Sequence, residues 1–276
     1  MLRDITIGQY YDTASSIHHL DPRTKIIATV VYIVGLFCVK SIIGFVLAGL
    51  CLGVIVFMAK IPLKFILRGL KPIIVILLFT VILNIFLVKG DVIWEWGILS
   101  ISWQGIYTAI FMAFRLVMLI IGCSMMTLTT TPIELTDGLE RLLRPLKKIH
   151  VPVHDIAMMM SIALRFIPIL LEETDKIMKA QTARGADFET GNILARAKSL
   201  IPVLVPLFIS AFRRADELAT AMEARCYRGD EGRTRMKELR YRRADYVAKV
   251  LMVVFLGMII GSRFLPGIRA LSAMLF

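Results

Sequence analysis

The sequence predicts an all-α fold, a polytopic membrane protein with about five transmembrane helices plus a cytoplasmic α-helical coupling domain containing two long helices. Three observations predict it. Hydrophobic residues make up 57% of the 276 positions, and the mean hydropathy is +0.74, beyond what ordinary soluble domains carry. Apolar runs approach the roughly 20 residues that a helix needs to cross a hydrocarbon core of about 30 Å. Finally, a long charged block separates the last two runs, and inside it apolar residues recur at helical spacing.

The membrane segments are Ile26–Val39, Ile42–Ala59, Ile73–Val88, Ile106–Leu128 and Tyr246–Phe264. Only Lys40 and Ser41 separate the first two, which predicts a tight helical hairpin or a tilted, mismatched pair. Loop charge sets the orientation, because Lys and Arg accumulate on the cytoplasmic side. The stretch from Lys60 to Lys71 holds Lys60, Lys64, Arg68 and Lys71 without an acid, whereas Lys89 to Trp103 holds one lysine against Asp91 and Glu95. The first is expected inside and the second outside. Trp94, Trp96 and Trp103 then fall in the external loop, where indoles favour the headgroup layer. Alternation puts the N-terminus inside, the C-terminus outside, and the whole protein in the plasma membrane. No secretory leader is expected, since the first 25 residues are polar. Cys38, Cys51 and Cys123 lie in apolar runs and Cys226 in the charged block, so no disulfide framework is expected.

Three regions follow: an N-terminal transmembrane region over residues 1–128, a cytoplasmic domain over 129–245, and a C-terminal transmembrane helix and tail over 246–276. The cytoplasmic block is too long for a connector. Thr131-Pro132 followed by Glu134 reads as a helix start, and Pro145 and Pro152 then break the chain. From Val153 about thirty residues read as helix, with Ile156, Met160, Ala163, Ile167, Leu170 and Ile177 on one face and Pro168 expected to kink it. Glu172 with Lys176 and Asp175 with Lys179 mark its solvated side. A second helix repeats the pattern through Leu204, Phe208, Ala211, Ala215, Leu218 and Met222, a seam that calls for a helical neighbour. Surplus apolar residues, Met158, Met159, Leu207 and Ile209, read either as core packing or, with the neighbouring Phe208, as an adaptable surface for lipid or a membrane partner.

Both helices end alike. The first closes on Ala183-Arg184-Gly185, where glycine suits a left-handed cap and the cation suits the carbonyl end. The second closes on Ala224-Arg225-Cys226. A left-handed cysteine carries a steric cost, so this helix is expected to continue towards Gly229. Arginine at both tips offers a rigid fork of donors for carboxylates and backbone carbonyls, and the bland alternative is local capping.

Other chemistries find little support. The net charge of +12 sits beside the spans or among acids, which points to anionic lipid and not to nucleic acid. His150 and His154 have the His-x3-His spacing, but Pro152 lies between them and no metal site is expected. No phosphate-binding G-x-x-x-x-G-K-[ST] run, nucleophile elbow or paired catalytic acids occur. No catalytic residue is assigned. Arg115, inside a span, calls for a polar partner such as Asn84 or Glu134, in a structural or a transport role. A self-contained permease and an intramembrane hydrolase remain as alternatives, though the spans offer few polar groups to either.

The two motif-ended helices between membrane spans resemble the transmembrane T component of energy-coupling factor (ECF) transporters, and the likeness extends over nearly the whole chain. The run Tyr227-Arg228-Gly229-Asp230-Glu231-Gly232-Arg233-Thr234 is similar to that family's text after its second motif. The resemblance implies that the two long helices are crossed coupling helices, and that the chain is a non-catalytic coupling subunit of an ABC importer for vitamins or trace metals. Its partners would be two ABC ATPase subunits, which hold ATP and Mg, and a small membrane substrate-binding subunit. Ala183, Arg184 and Gly185, with Ala224 and Arg225, match the two docking motifs; Cys226 departs from the glycine. The apolar faces of the coupling helices would meet the substrate-binding subunit. No cofactor is expected on this chain.

Overall fold

The computed structural model describes residues 10–39, 41–88, 90–96, 99–188, 192–229 and 239–264. Its helices are α1 (Pro22–Cys38), α2 (Ile42–Ala59), α3 (Leu63–Leu70), α4 (Ile74–Leu87), α5 (Trp103–Thr129), α6 (Pro132–Leu143), α7 (Val153–Ala183), α8 (Ile193–Ser199), α9 (Ile201–Ala224) and α10 (Arg243–Phe264). The chain divides into two compact units. The described parts of Gly8–Gly138 and Leu239–Phe276 form one, and those of Leu139–Glu238 form the other.

Among the described residues five helices have the length and composition to cross a membrane: Ile42–Ala59, Leu63–Leu87, Trp103–Thr129, Val153–Ala183 and Arg243–Gly261. Four overlap predicted spans. The first predicted span falls in α1, whose 17 residues rise only about 25 Å. α7 qualifies instead because, from Ile156 to Leu171, Arg165 is its only fully charged side chain. The stretch expected as a loop from Lys60 to Lys71 is mostly α3, joined to α4 by a 3-10 turn over Lys71–Ile73. In the expected external loop, β1 (Val92–Trp96) pairs antiparallel with β2 (Leu99–Ser102), Trp96 opposite Leu99. Trp103 opens α5 and is exposed. The side chains of Trp94 and Trp96 and the run from Asp230 to Thr234 lie outside the described residues.

The membrane unit is built around α5, with α1, α2, α3 and α4 against it and α10 against α1 and α2. Its core joins Tyr32, Leu36, Phe45, Ala48 and Leu52 to Phe255 and Ile259. Glycines let the helices approach, as small residues do where lipid supplies no hydrophobic drive between helices. A Cβ on Gly122 would lie 2.6 Å from the Tyr32 ring, and one on Gly35 2.9 Å from Phe255.

One end of this unit is locked by buried polar groups. The Asp21 carboxylate accepts from the Arg23 backbone N–H and guanidinium, which caps α1, and Pro22 supplies the fixed first-turn φ. Asp245 is buried, and its carboxylate accepts from the backbone N–H of Asp21 at 2.8 Å and of Arg242 at 2.7 Å. The second of these bonds is half of a capping box at the start of α10. Lys25 donates to the carbonyls of His18 and Thr129. The first and last membrane helices are therefore tied by the polar pairing that burial of a charge requires.

Arg115 finds neither of its expected partners. Its guanidinium donates to the Val39 carbonyl at 2.9 Å and lies over the Phe45 ring at 5.4 Å. Val39 caps the carbonyl end of α1. A cation there meets the negative end of the helix dipole, so the α1–α2 corner, 76 positions distant in sequence, supplies an acceptor for the charge.

Candidate functional site

The unit formed by Leu139–Glu238 centres on α7 and α9, which pack antiparallel. Ser210 and Arg214 both donate to the Glu173 carboxylate, and further along Gln181 reaches the carbonyl of Pro202. At the opposite end, the Tyr227 hydroxyl lies 3.1 Å from the Met158 sulfur and 3.4 Å from Nε2 of His154, whose Nδ1 is 3.1 Å from Glu140. α7 continues through Pro168 and α9 through Pro206.

This packing shifts the expected seam. Ala211, Leu218 and Met222 of that seam are half-buried, but Leu204, Phe208 and Ala215 are exposed, whereas Val203 is buried and Leu207, Ser210 and Arg214 are half-buried. A polar trio occupies the middle of the contact, and apolar periodicity cannot register a seam closed by Glu173, Ser210 and Arg214. His150 takes a left-handed turn, with φ 61°, after the 3-10 helix Arg144–Ile149. His154 stands in the first turn of α7.

The two motif tips have the same backbone. After α7, the Gly185 N–H donates to the Thr182 carbonyl and the Ala186 N–H to the Gln181 carbonyl. After α9, the Cys226 N–H donates to Glu223 and the Tyr227 N–H to Met222. Each pair is the 5→2 and 6→1 bonding of a Schellman cap, in which the residue after the C-cap turns left-handed. Gly185 does so with φ 90° and Cys226 with φ 54°. The expected continuation of the second helix to Gly229 is therefore corrected: α9 ends at Ala224. The carbonyls left open at a helix end are satisfied only if the chain turns, and this need outweighs the cost of a left-handed Cβ.

Ala183, Arg184, Gly185, Ala224, Arg225 and Cys226 are all exposed. Arg184 and Arg225 occupy the C-cap position of their helices, with φ −88° and −93°. The register that sets Ser210 against Glu173 brings Arg225 level with Met158. The 26 residues from there to Arg184 rise about 39 Å, so the arginines stand at opposite ends of the helix pair. Between them, Met159, Phe208 and Ile209 are exposed, Phe208 by 61%, and Phe212 beyond them by 70%. Met158 and Leu207 are half-buried. Sequence periodicity had singled out neither Tyr227 nor the Glu173 trio; the signal for Tyr227 is an aromatic placed directly after the cap, where Schellman motifs carry a hydrophobic contact.

Among the described residues no group of three or more His, Cys, Asp or Glu side chains is placed to hold a metal. Residues 13–236 match the family model CbiQ, described as cobalt transport protein. The chain is 61% identical over 260 residues to the energy-coupling factor transporter transmembrane protein EcfT of Ruminiclostridium cellulolyticum, covering 94% of this chain and 97% of that one. It is 56% identical to EcfT of Thermosediminibacter oceani, over 90% and 93% of the two chains, and 48% identical to EcfT of Bacillus subtilis, over 92% and 96%. By both the family model and these relatives, the chain belongs to the EcfT transmembrane proteins of energy-coupling factor transporters, within the CbiQ family.

Proposed function

We propose that this chain couples ATP hydrolysis on two ABC ATPase subunits to a separate substrate-binding membrane subunit that imports a vitamin or trace metal. Residues 129–245 act as its cytoplasmic coupling domain, and ATP and Mg are held by the ATPases. Ala183-Arg184-Gly185 and Ala224-Arg225-Cys226 dock one ATPase each. The single observation that carries this reading is the repetition of one cap at both helix ends, with an exposed arginine at the same position of each. A guanidinium so held presents a planar set of donors to carboxylates or carbonyls in a groove. Met159, Phe208 and Ile209 form the exposed part of the surface that meets the substrate-binding subunit, with Met158 and Leu207 behind them.

When nucleotide draws the ATPases together, the tips follow, and the α7–α9 pair changes its fit to the substrate-binding subunit. The test is copurification with the ATPases. Arg184→Ala with Arg225→Ala should abolish it while membrane insertion is kept, each arginine being worth about 2–5 kcal/mol by analogy with truncated interface charges. Arg→Lys at both positions should restore it only partly. Undiminished association of the double alanine variant would refute the docking assignment.

A further inference from the structure

We propose that the outer face of α3 is a binding surface for anionic lipid headgroups, with Lys64, Arg68 and Lys71 taking the phosphates and Leu63 and Leu67 entering the acyl region beside them. From Pro22 to Gly90 the chain contains no Asp or Glu, so the field of these cations is not cancelled locally in sequence. Among the described residues none of them is paired with an acid. At about 100° per residue, positions 64, 68 and 71 fall on one stripe of the helix. Leu63 and Leu67 form the next stripe round, exposed by 66% and 63%. That order, leucines beside cations, suits the end of a membrane helix at the boundary between acyl chains and headgroups.

The orientation of α3 is fixed from behind. Ile66 is buried in a cluster with Ala59, Ile61, Met125 and Leu128. A Cβ on Gly69 would lie 3.3 Å from the Ser124 hydroxyl oxygen of α5, and the Phe65 ring lies 5.0 Å from that of Tyr11. The cationic stripe is therefore held outward by packing, so little ordering of backbone is left for binding.

Length places this face at the headgroups. The apolar helix from Leu63 to Leu87 has 25 residues and none of its best apolar stretch is buried within the chain. It rises about 38 Å against a hydrocarbon core of about 30 Å. The surplus must project at one end, and the cations decide which, because a charge is costly in hydrocarbon. That surplus of about 8 Å is about five residues, so the Leu63 end of α3 stands among the phosphates, and the long side chains of Arg68 and Lys71 reach up to them.

The test uses the purified full chain and native mass spectrometry, titrating dioleoyl-phosphatidylglycerol against dioleoyl-phosphatidylcholine. The wild type should prefer phosphatidylglycerol, and the preference should fall as salt rises. Lys64→Gln with Arg68→Gln should lose about 25-fold of the tightest phosphatidylglycerol binding, about fivefold per cation, and Lys64→Arg with Arg68→Lys should keep it. Equal binding of the two lipids by the wild type, or an unchanged preference in the Gln variant, overturns the proposal. So does a Gln variant that keeps its lipid preference and loses copurifying ATPase, which would assign the stripe to an acidic protein surface.

Discussion

Exchanging the third residues of the two tips tests the cap geometry by its energy. Gly185 and Cys226 occupy equivalent left-handed positions. A Cβ added at Gly185 would meet nothing within 4 Å, so the cost of a side chain there is conformational alone. An L-residue in this region costs roughly 1–2 kcal/mol, and glycine returns about 0.5–1 kcal/mol of that through its greater freedom when unfolded. Cys226→Gly should therefore stabilise its tip by about 0.5–1 kcal/mol, and Gly185→Cys should destabilise the other by a similar amount. Local opening is the event to measure, because the tips are the last turns of long helices and open without global unfolding. Amide hydrogen exchange followed over residues 182–188 and 222–229 should slow about two- to fivefold in the first variant and quicken equally in the second. If Cys226→Gly leaves exchange unchanged, or quickens it, the cysteine is not carrying the strain that its φ implies and the equivalence of the tips fails.

Tyr227→Phe removes a hydroxyl that reaches Met158 and His154; exchange over residues 222–229 should quicken by about 0.5–1.5 kcal/mol of opening energy, and the α7 tip should not respond. Gly122→Val would drive a side chain into the Tyr32 ring, which is itself stacked on Phe255, so the detergent-solubilised protein should lose about 1–3 kcal/mol of stability, read as a lower midpoint in thermal melting; an unchanged midpoint would remove the close approach of α1 and α5. His18 gives a pH dependence with a definite sign. Burial, and then the nearby Lys25 ammonium, lower its pKa despite the hydrogen bond to the Tyr11 carbonyl, which raises it. The folded state thus favours neutral imidazole, and its stabilisation is complete above the unfolded pKa of about 6.5. It falls as the pH drops through the lowered folded value. Exchange protection over residues 11–20, corrected for intrinsic rate, should weaken as the pH drops from about 6.5 towards that lowered value, and a His18→Gln variant should show no such trend.

How much of this was legible in the sequence depends on whether a feature is local. The end of α7 is legible to the residue at Ala183, because the cap is a local backbone event marked by Arg-Gly. The end of α9 was misjudged because residue preference at Cys226 was weighed without the carbonyls that the turn satisfies. α3 is hidden in the sequence because Lys60, Lys64, Arg68 and Lys71 between two apolar runs read as a charged loop, and only the burial of Ile66 against Met125 and Leu128 shows what holds the helix. Arg115 was assigned wrong partners because a backbone carbonyl made available by the end of α1 leaves no trace in residue type. The Glu173, Ser210 and Arg214 contact was invisible for the same reason: pairing across 37 and 41 positions depends on register, which periodicity does not supply.

The antiparallel packing of α7 and α9 bears directly on how force can pass through this chain. Two helices packed in parallel would bring both arginines to one end, where a single partner could take them. Packed antiparallel, with Glu173 fixing the register, the pair presents one arginine at each end. A separation of about 39 Å by helix rise is several Debye lengths at physiological salt, about 8 Å each, so neither tip senses the other's charge. Coupling between them must be carried mechanically by the helices. The pair is suited to that, since its contacts at Gln181, at Glu173 and at Tyr227 are spread along its length. Displacing one tip therefore moves the exposed face between them, including Phe208 and Ile209, together with the backbone that carries it.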